Sequence, residues 1–146
     1  MELSDLVALS SVEQGLVVVA TARADGSIQS SVVNAGVLAH PVTGADVLGF
    51  VTYGRAKLGN LRRRPWTTVT ARSGWQWATA EGRVEISGPD DHLEGVPDEA
   101  VPALLRAVFT AAGGTHDDWD AFDATMAADR RAAVLVTPGR LYSNRR

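Results

Sequence analysis

Fourteen side chains carry a fixed positive charge, and thirteen of them are arginine; the exception, Lys57, stands in Gly54-Arg55-Ala56-Lys57-Leu58-Gly59-Asn60-Leu61-Arg62-Arg63-Arg64-Pro65. A guanidinium is a planar fork suited to paired oxygens, whereas an ammonium is a compact point charge with three rotatable donors, suited to one phosphate group. The formal net charge of the chain is -3, so no general field draws an anion in, and attraction has to be local. If residues 55 to 64 are helical, Lys57, Asn60 and Arg64 fall at i, i+3 and i+7, while Leu58 and Leu61 occupy a neighbouring face. The first turn then adds unpaired backbone N–H groups and the positive end of the helix dipole beside Arg55 and Lys57. Arg62 and Arg63 point elsewhere. A merely solvated cationic helix has the same composition, so the reading depends on what surrounds the segment.

Other candidates for chemistry are sparser. His40, His92 and His116 lack ligand spacing and read as loop or capping residues. Asp90-Asp91 and Asp117-Asp118 read as turn and helix-start acids rather than metal ligands. Trp75 and Trp77 are two apart, so on one strand they share a face, either as a wall for an aromatic ligand or as barrel or interface filling. The chain has no cysteine, which excludes disulfides and thiolate chemistry. Neither a G-x-G-x-x-G nor a G-x-x-x-x-G-K-[ST] string is present, so a phosphate would be held by other means.

The positioning elements follow from periodicity. Ser4 reads as the cap of a short helix ending near Gly15. Leu16 to Thr21, Ile28 to Leu38 and Val47 to Tyr53 alternate as strands, joined through Asp25-Gly26 and through Pro41 to Gly44. Strand pattern resumes at Thr67 to Ala71 and from Trp75 to Ser87. Pro97 reads as the start of a helix with apolar positions Val101, Leu104, Leu105, Val108, Phe109 and Ala112, stopped at Gly113-Gly114. Thr115 and Asp118 resemble a capping box ahead of an apolar stripe of Trp119, Phe122 and Met126. Ala132 to Val136 and Arg140 to Ser143 read as two strands broken at Pro138-Gly139. Seven strand candidates with late helices predict a mainly β protein with added helices, a small antiparallel barrel within a single domain over 1–146. The N-terminus lacks a signal-peptide pattern and no apolar run reaches the ~20 residues that span a bilayer, so the expectation is a cytoplasmic chain with no membrane partner.

Three stretches in this order carry a family resemblance: Phe50-Val51-Thr52-Tyr53; Lys57-Leu58-Gly59-Asn60-Leu61-Arg62-Arg63-Arg64-Pro65-Trp66-Thr67-Thr68-Val69; and Trp77-Ala78-Thr79-Ala80-Glu81-Gly82-Arg83-Val84. With Asp25 to Val33 upstream, the chain resembles the pyridoxamine 5′-phosphate oxidase-like split β-barrel superfamily, closest to the B branch of the flavin/deazaflavin oxidoreductases. The resemblance implies a homodimer with two cofactor sites at its interface, and either a flavin or the deazaflavin coenzyme F420. It also implies that Arg55 and Lys57 meet the cofactor phosphate and that Thr52 and Asn60 shape that pocket. Ser31, Val33 and Asn34 would lie beside the ring, with Trp77, Ala78 and Thr79 approaching from an adjacent strand. Ile28 stands where the family often has proline, and the arginine-rich FMN box of true pyridoxamine phosphate oxidases is missing.

The expected activity is an F420-dependent reductase that passes hydride to a conjugated or heteroaromatic small-molecule substrate, with no catalytic residue assigned. The alternatives are an FMN-dependent oxidoreductase of the same fold and a non-catalytic cofactor carrier or sensor. Nucleic-acid binding is disfavoured by the acidic balance and the lack of a reading motif.

Overall fold

The computed structural model describes residues 1–145. Six strands, β1 (Leu16–Ala22), β2 (Ile28–Ala39), β3 (Asp46–Thr52), β4 (Trp66–Ser73), β5 (Gln76–Ser87) and β6 (Ala132–Ser143), close into one antiparallel barrel in the order β1-β2-β3-β6-β5-β4. Period-2 alternation selects the inner faces: Val17 and Val19 point in while Leu16 and Val18 are exposed. The inner side chains of the strands share one core cluster, Phe50, Leu48, Val69, Ala80, Val84 and Val134 among them.

The two expected C-terminal strands are one. Gly82 pairs with Pro138 and Glu81 with Arg140, leaving Gly139 as an extra residue on β6. Proline lacks a ladder donor, but at a bulge none is required, so Pro138-Gly139 kinks the strand without ending it. Trp75, expected on the fifth strand, sits instead in the β4–β5 turn and is 95% exposed.

The described residues also form four α-helices: α1 (Leu3–Val12), α2 (Arg55–Arg63), α3 (Val101–Ala111) and α4 (Trp119–Ala128). Their ends differ from the sequence expectations. Glu2, not Ser4, caps α1 in a reciprocal box with Asp5, since a carboxylate one turn inside reaches back to the cap N–H as well as glutamate does. A 3-10 turn at Asp98–Ala100 precedes α3, with Pro102 rather than Pro97 in its first turn. Asp118 caps α4 alone, accepting from the Ala121 amide at 3.1 Å.

Leu3 and Leu6 of α1 and Leu58 and Leu61 of α2 extend the barrel core. On the outside, α3 and α4 bury Leu104, Leu105, Val108, Phe122 and Met126 against Val47, Ala133 and Leu135 of β3 and β6. The end of α3 lies directly on β2: a Cβ on Gly36 would stand 1.9 Å from the Ala111 carbonyl oxygen, so only glycine permits this approach. Among the described residues no helix is long and apolar enough to cross a membrane.

Candidate functional site

Where the ends of α3 and α4 meet the rims of β2 and β3, the packing leaves a cleft of about 630 Å³. Val33 and Asn34 line it from β2, Thr52 from β3, Gly54 and Lys57 from α2, and Phe109 with Gly113-Gly114 from the end of α3. Its size falls within the range of small-molecule and cofactor pockets. No aspartate or glutamate lines it among the described residues.

Lys57 is its most informative member. The residue is 7% exposed, and its Nζ donates to Thr52 Oγ1 at 3.1 Å and lies 6.0 Å from the centre of the Phe50 ring. No carboxylate pairs with it among the described residues. Burial therefore draws its pKa below the 10.5 of an ordinary lysine, because a desolvated cation without a counter-charge is disfavoured. Gly54 caps α2 without a side-chain hydrogen bond, leaving the first-turn N–H groups for a ligand. On β2, Ser31 Oγ is buried without a hydrogen-bond partner among the described residues, but Ser31 does not line the cleft. An acid-free cleft, an unpaired ammonium and an open helix N-terminus together fit an anionic, phosphate-bearing ligand.

The remaining sequence-expected residues are distributed more widely. Arg55 is exposed on the first turn of α2 and does not line the cleft. Asn60 is buried, but its Nδ2 donates to Thr21 Oγ1 at 3.0 Å, and Thr21 in turn donates to Gln29 Oε1. That relay ties α2 to β1 and β2 and occupies Asn60 structurally. Arg64 reaches back to the Ala24 carbonyl, and Arg62 forks onto Asp91. Trp77 and Ala78 line a separate cavity of about 360 Å³ beside α1, with the Ala78 side chain in the barrel core. Thr79 exchanges a hydrogen bond with Thr70 at 2.9 Å. Within one chain, then, Val33, Asn34, Thr52 and Lys57 converge, and Trp77, Ala78 and Thr79 do not join them. Trp75 and Trp77 form no common wall; Trp77 packs edge-on against Tyr142, with ring centres 6.0 Å apart.

The histidines lie outside the cleft. His40 Nδ1 accepts the Val42 and Thr43 amides while Nε2 meets Glu85 at 2.9 Å, and His116 Nδ1 accepts the Asp118 amide. Sequence reasoning missed Gln14, Met126 and Arg131, which also line the cleft. One backbone signal accompanies them: among the described residues Gln14 and Arg130 are the non-glycine residues with positive φ, at 61° and 51°; Gln14 lines the cleft and Arg130 directly precedes Arg131, which lines it.

A closed antiparallel barrel with helices packed on its outside and a cleft at its rim defines the split-barrel class of fold. Residues 5–142 match the pyridoxamine 5′-phosphate oxidase family, and the chain belongs to it. Solved structures share the fold. A conserved hypothetical protein from Mycobacterium tuberculosis is 19% identical with a TM-score of 0.67, over 98% of this chain and 84% of its own. A pyridoxamine 5′-phosphate oxidase-related, FMN-binding protein from Nostoc punctiforme is 12% identical with a TM-score of 0.67, over 97% and 81%. A protein described as an F420 reductase is 20% identical with a TM-score of 0.61, over 95% and 94%.

Proposed function

We propose that the chain binds coenzyme F420 in the Lys57 cleft and serves as a reductase for a conjugated or heteroaromatic acceptor. The observation that carries this reading is the buried Lys57 ammonium, tethered to Thr52 and facing a cleft without acidic groups. It is supported by the flavin-type ligands named for similar folds, an F420 reductase and an FMN-binding protein. When bound, the cofactor supplies the hydride; the protein binds, orients and excludes water. Lys57 and the first turn of α2 hold the phosphate. Val33 and Phe109 provide apolar walls that displace water from the reacting face.

A second copy of the chain completes the site in this reading. Along the outer face of the barrel, pairing aligns Val32 with Val18, Val18 with Thr70, Thr70 with Thr79, and Thr79 with Tyr142. Val32 is 59% exposed and Leu16, Val18 and Ile28 are exposed nearby, an apolar face that packing of two copies would cover. Such packing brings the Trp77–Thr79 strand of one copy toward the cleft rim of the other.

Parallel titrations with F420 and FMN, followed by absorbance and fluorescence, test the assignment. Tighter F420 binding with turnover of an acceptor supports it. Tighter FMN binding replaces F420 with a flavin, and F420 binding without turnover on any acceptor replaces the reductase with a carrier. Sedimentation or light scattering reads the dimer directly.

A further inference from the structure

We infer that Arg131 is a second anion-recognition residue of the cleft, so that the preferred ligand carries two separate anionic groups, one held at Lys57 and one at Arg131. The inference rests on the cofactor reading above and narrows the ligand class within it.

The arginines of the helical side set the comparison. Arg62, Arg106 and Arg130 each place Nε and Nη2 on the two different oxygens of one carboxylate, those of Asp91, Asp123 and Asp90. In that fork-to-fork geometry both partners are used up. Arg131 is different. Its Nε and Nη2 converge on the single Oδ2 of Asp129, at 3.2 and 3.1 Å, and its Nη1 makes no hydrogen bond among the described residues. A carboxylate contacted through one oxygen is readily exchanged for a bidentate ligand.

Its placement favours a ligand over a structural partner. The guanidinium carbon lies 4.2 Å from the centre of the Tyr53 ring, and stacking on the ring face leaves the in-plane N–H edge available for hydrogen bonds, Nη1 being without a partner among the described residues. Arg130, at φ 51°, turns the chain out of α4, and the Arg131 amide donates to the Met126 carbonyl, which directs the side chain into the cleft it lines with Lys57. Tyr53 directly precedes the Gly54 cap of α2, so a single stretch of chain carries the platform for Arg131 and the approach to Lys57. The two cations thus face one cleft with no acidic group on its lining, in a chain of net charge -3. A ligand with one phosphate satisfies one of them. A ligand with a phosphate and a distal carboxylate, as in F420, satisfies both.

The experiment compares F420, FMN and FAD, whose pyrophosphate places a second anionic phosphate group apart from the first, on the wild-type protein, Arg131→Ala and Arg131→Lys, with Arg106→Ala as the control for losing a surface guanidinium. Arg131→Ala should weaken F420 by about tenfold and FMN by less than about twofold, and the tenfold loss should shrink at about 0.5 M salt, where screening acts within a few ångströms. Arg131→Lys should recover part of the loss, and Arg106→Ala should change neither affinity. Arg131→Gln, which keeps a planar stacked group without the charge, carries the same comparison if the alanine variant folds poorly. Equal losses for F420 and FMN, or no loss for either, overturn the proposal. If the wild type prefers FMN to F420, the deazaflavin reading falls by itself; Arg131 then stands only if Arg131→Ala weakens FAD more than FMN. A wild-type protein that binds none of the three overturns both.

Discussion

The helical side of the molecule and its cleft use positive charge in opposite ways. Around α3 and α4, arginines are matched to carboxylates: Arg106 to Asp123, Arg130 to Asp90, and across the molecule Arg62 to Asp91. Those pairs lower the pKa of Asp123 and Asp90 through hydrogen bonds from the guanidinium. In the cleft, Lys57 is more deeply buried than any of these arginines yet has only the Thr52 hydroxyl. Solvent-exposed pairs contribute little to stability, and a buried cation without a counter-charge detracts from it. A chain able to pair its arginines so readily leaves its single lysine unmatched where a ligand can reach it, and the ligand is what that position answers to.

The comparison is broken most directly at Lys57. Lys57→Ala should weaken phosphate-bearing cofactors by about ten- to a hundredfold, the worth of a charge-assisted hydrogen bond in an enclosed site, with Lys57→Arg recovering only part. Fluorescence titration checks this, and normal binding by Lys57→Ala together with lost binding by Arg63→Ala would place the phosphate elsewhere. Lys57→Met should also raise the melting temperature of the ligand-free protein, because it replaces a desolvated ammonium with an apolar chain of similar length. Calorimetry of the two ligand-free proteins decides it, and a lower melting temperature for Lys57→Met would mean that the ammonium stabilises the fold.

Acidity sharpens the same contrast. Because folding lowers the pKa of Lys57 below 10.5, the unfolded chain holds more protons in the window between the folded value and 10.5. The contribution of Lys57 to stability therefore rises with pH across that window. An anion at Nζ favours the charged form, so binding takes up a proton there and affinity falls as pH rises through the free-state value. Titration of the Lys57 Nζ by NMR, free and loaded, reads both; an unchanged pKa on loading would remove the anion from Nζ. The smallest effect belongs to the helical side. Arg106→Ala should shift the melting temperature slightly, most at low salt, and leave cofactor affinity unchanged; a clear loss of affinity would join that surface to the site.

Much of the architecture was legible because alternation and turn residues are local signals. Asp25-Gly26, the strands around it and the α2 segment all emerge from neighbours in sequence. The β6 strand was misread because Pro138-Gly139 carries the same local signal whether a strand ends or bulges; only the pairing with Glu81 and Gly82 decides. At the site, Lys57 stood out by composition, and Thr52 by its place in a recognisable motif. Asn60 shares both the motif and the helix face, but Thr21, thirty-nine residues away, captures it. Arg131 had no comparable cue, since its role depends on Tyr53 lying under it, a contact between residues 78 positions apart in the sequence (131 − 53).

The extra residue in β6 also sets which side chains the outer surface displays. Before it, even-numbered Val134 and Val136 point into the barrel; after it, the inward position passes to odd-numbered Leu141. Gly139 thus acts as a frame change within one strand, comparable to a skipped stitch that reverses a pattern. The first frame presents Ala133 and Leu135 to the helices, and the second presents Arg140 and Tyr142 to Glu81 on the open face. One strand therefore serves two surfaces of different character, and the length of the chain at this point, more than the identity of its residues, keeps them apart.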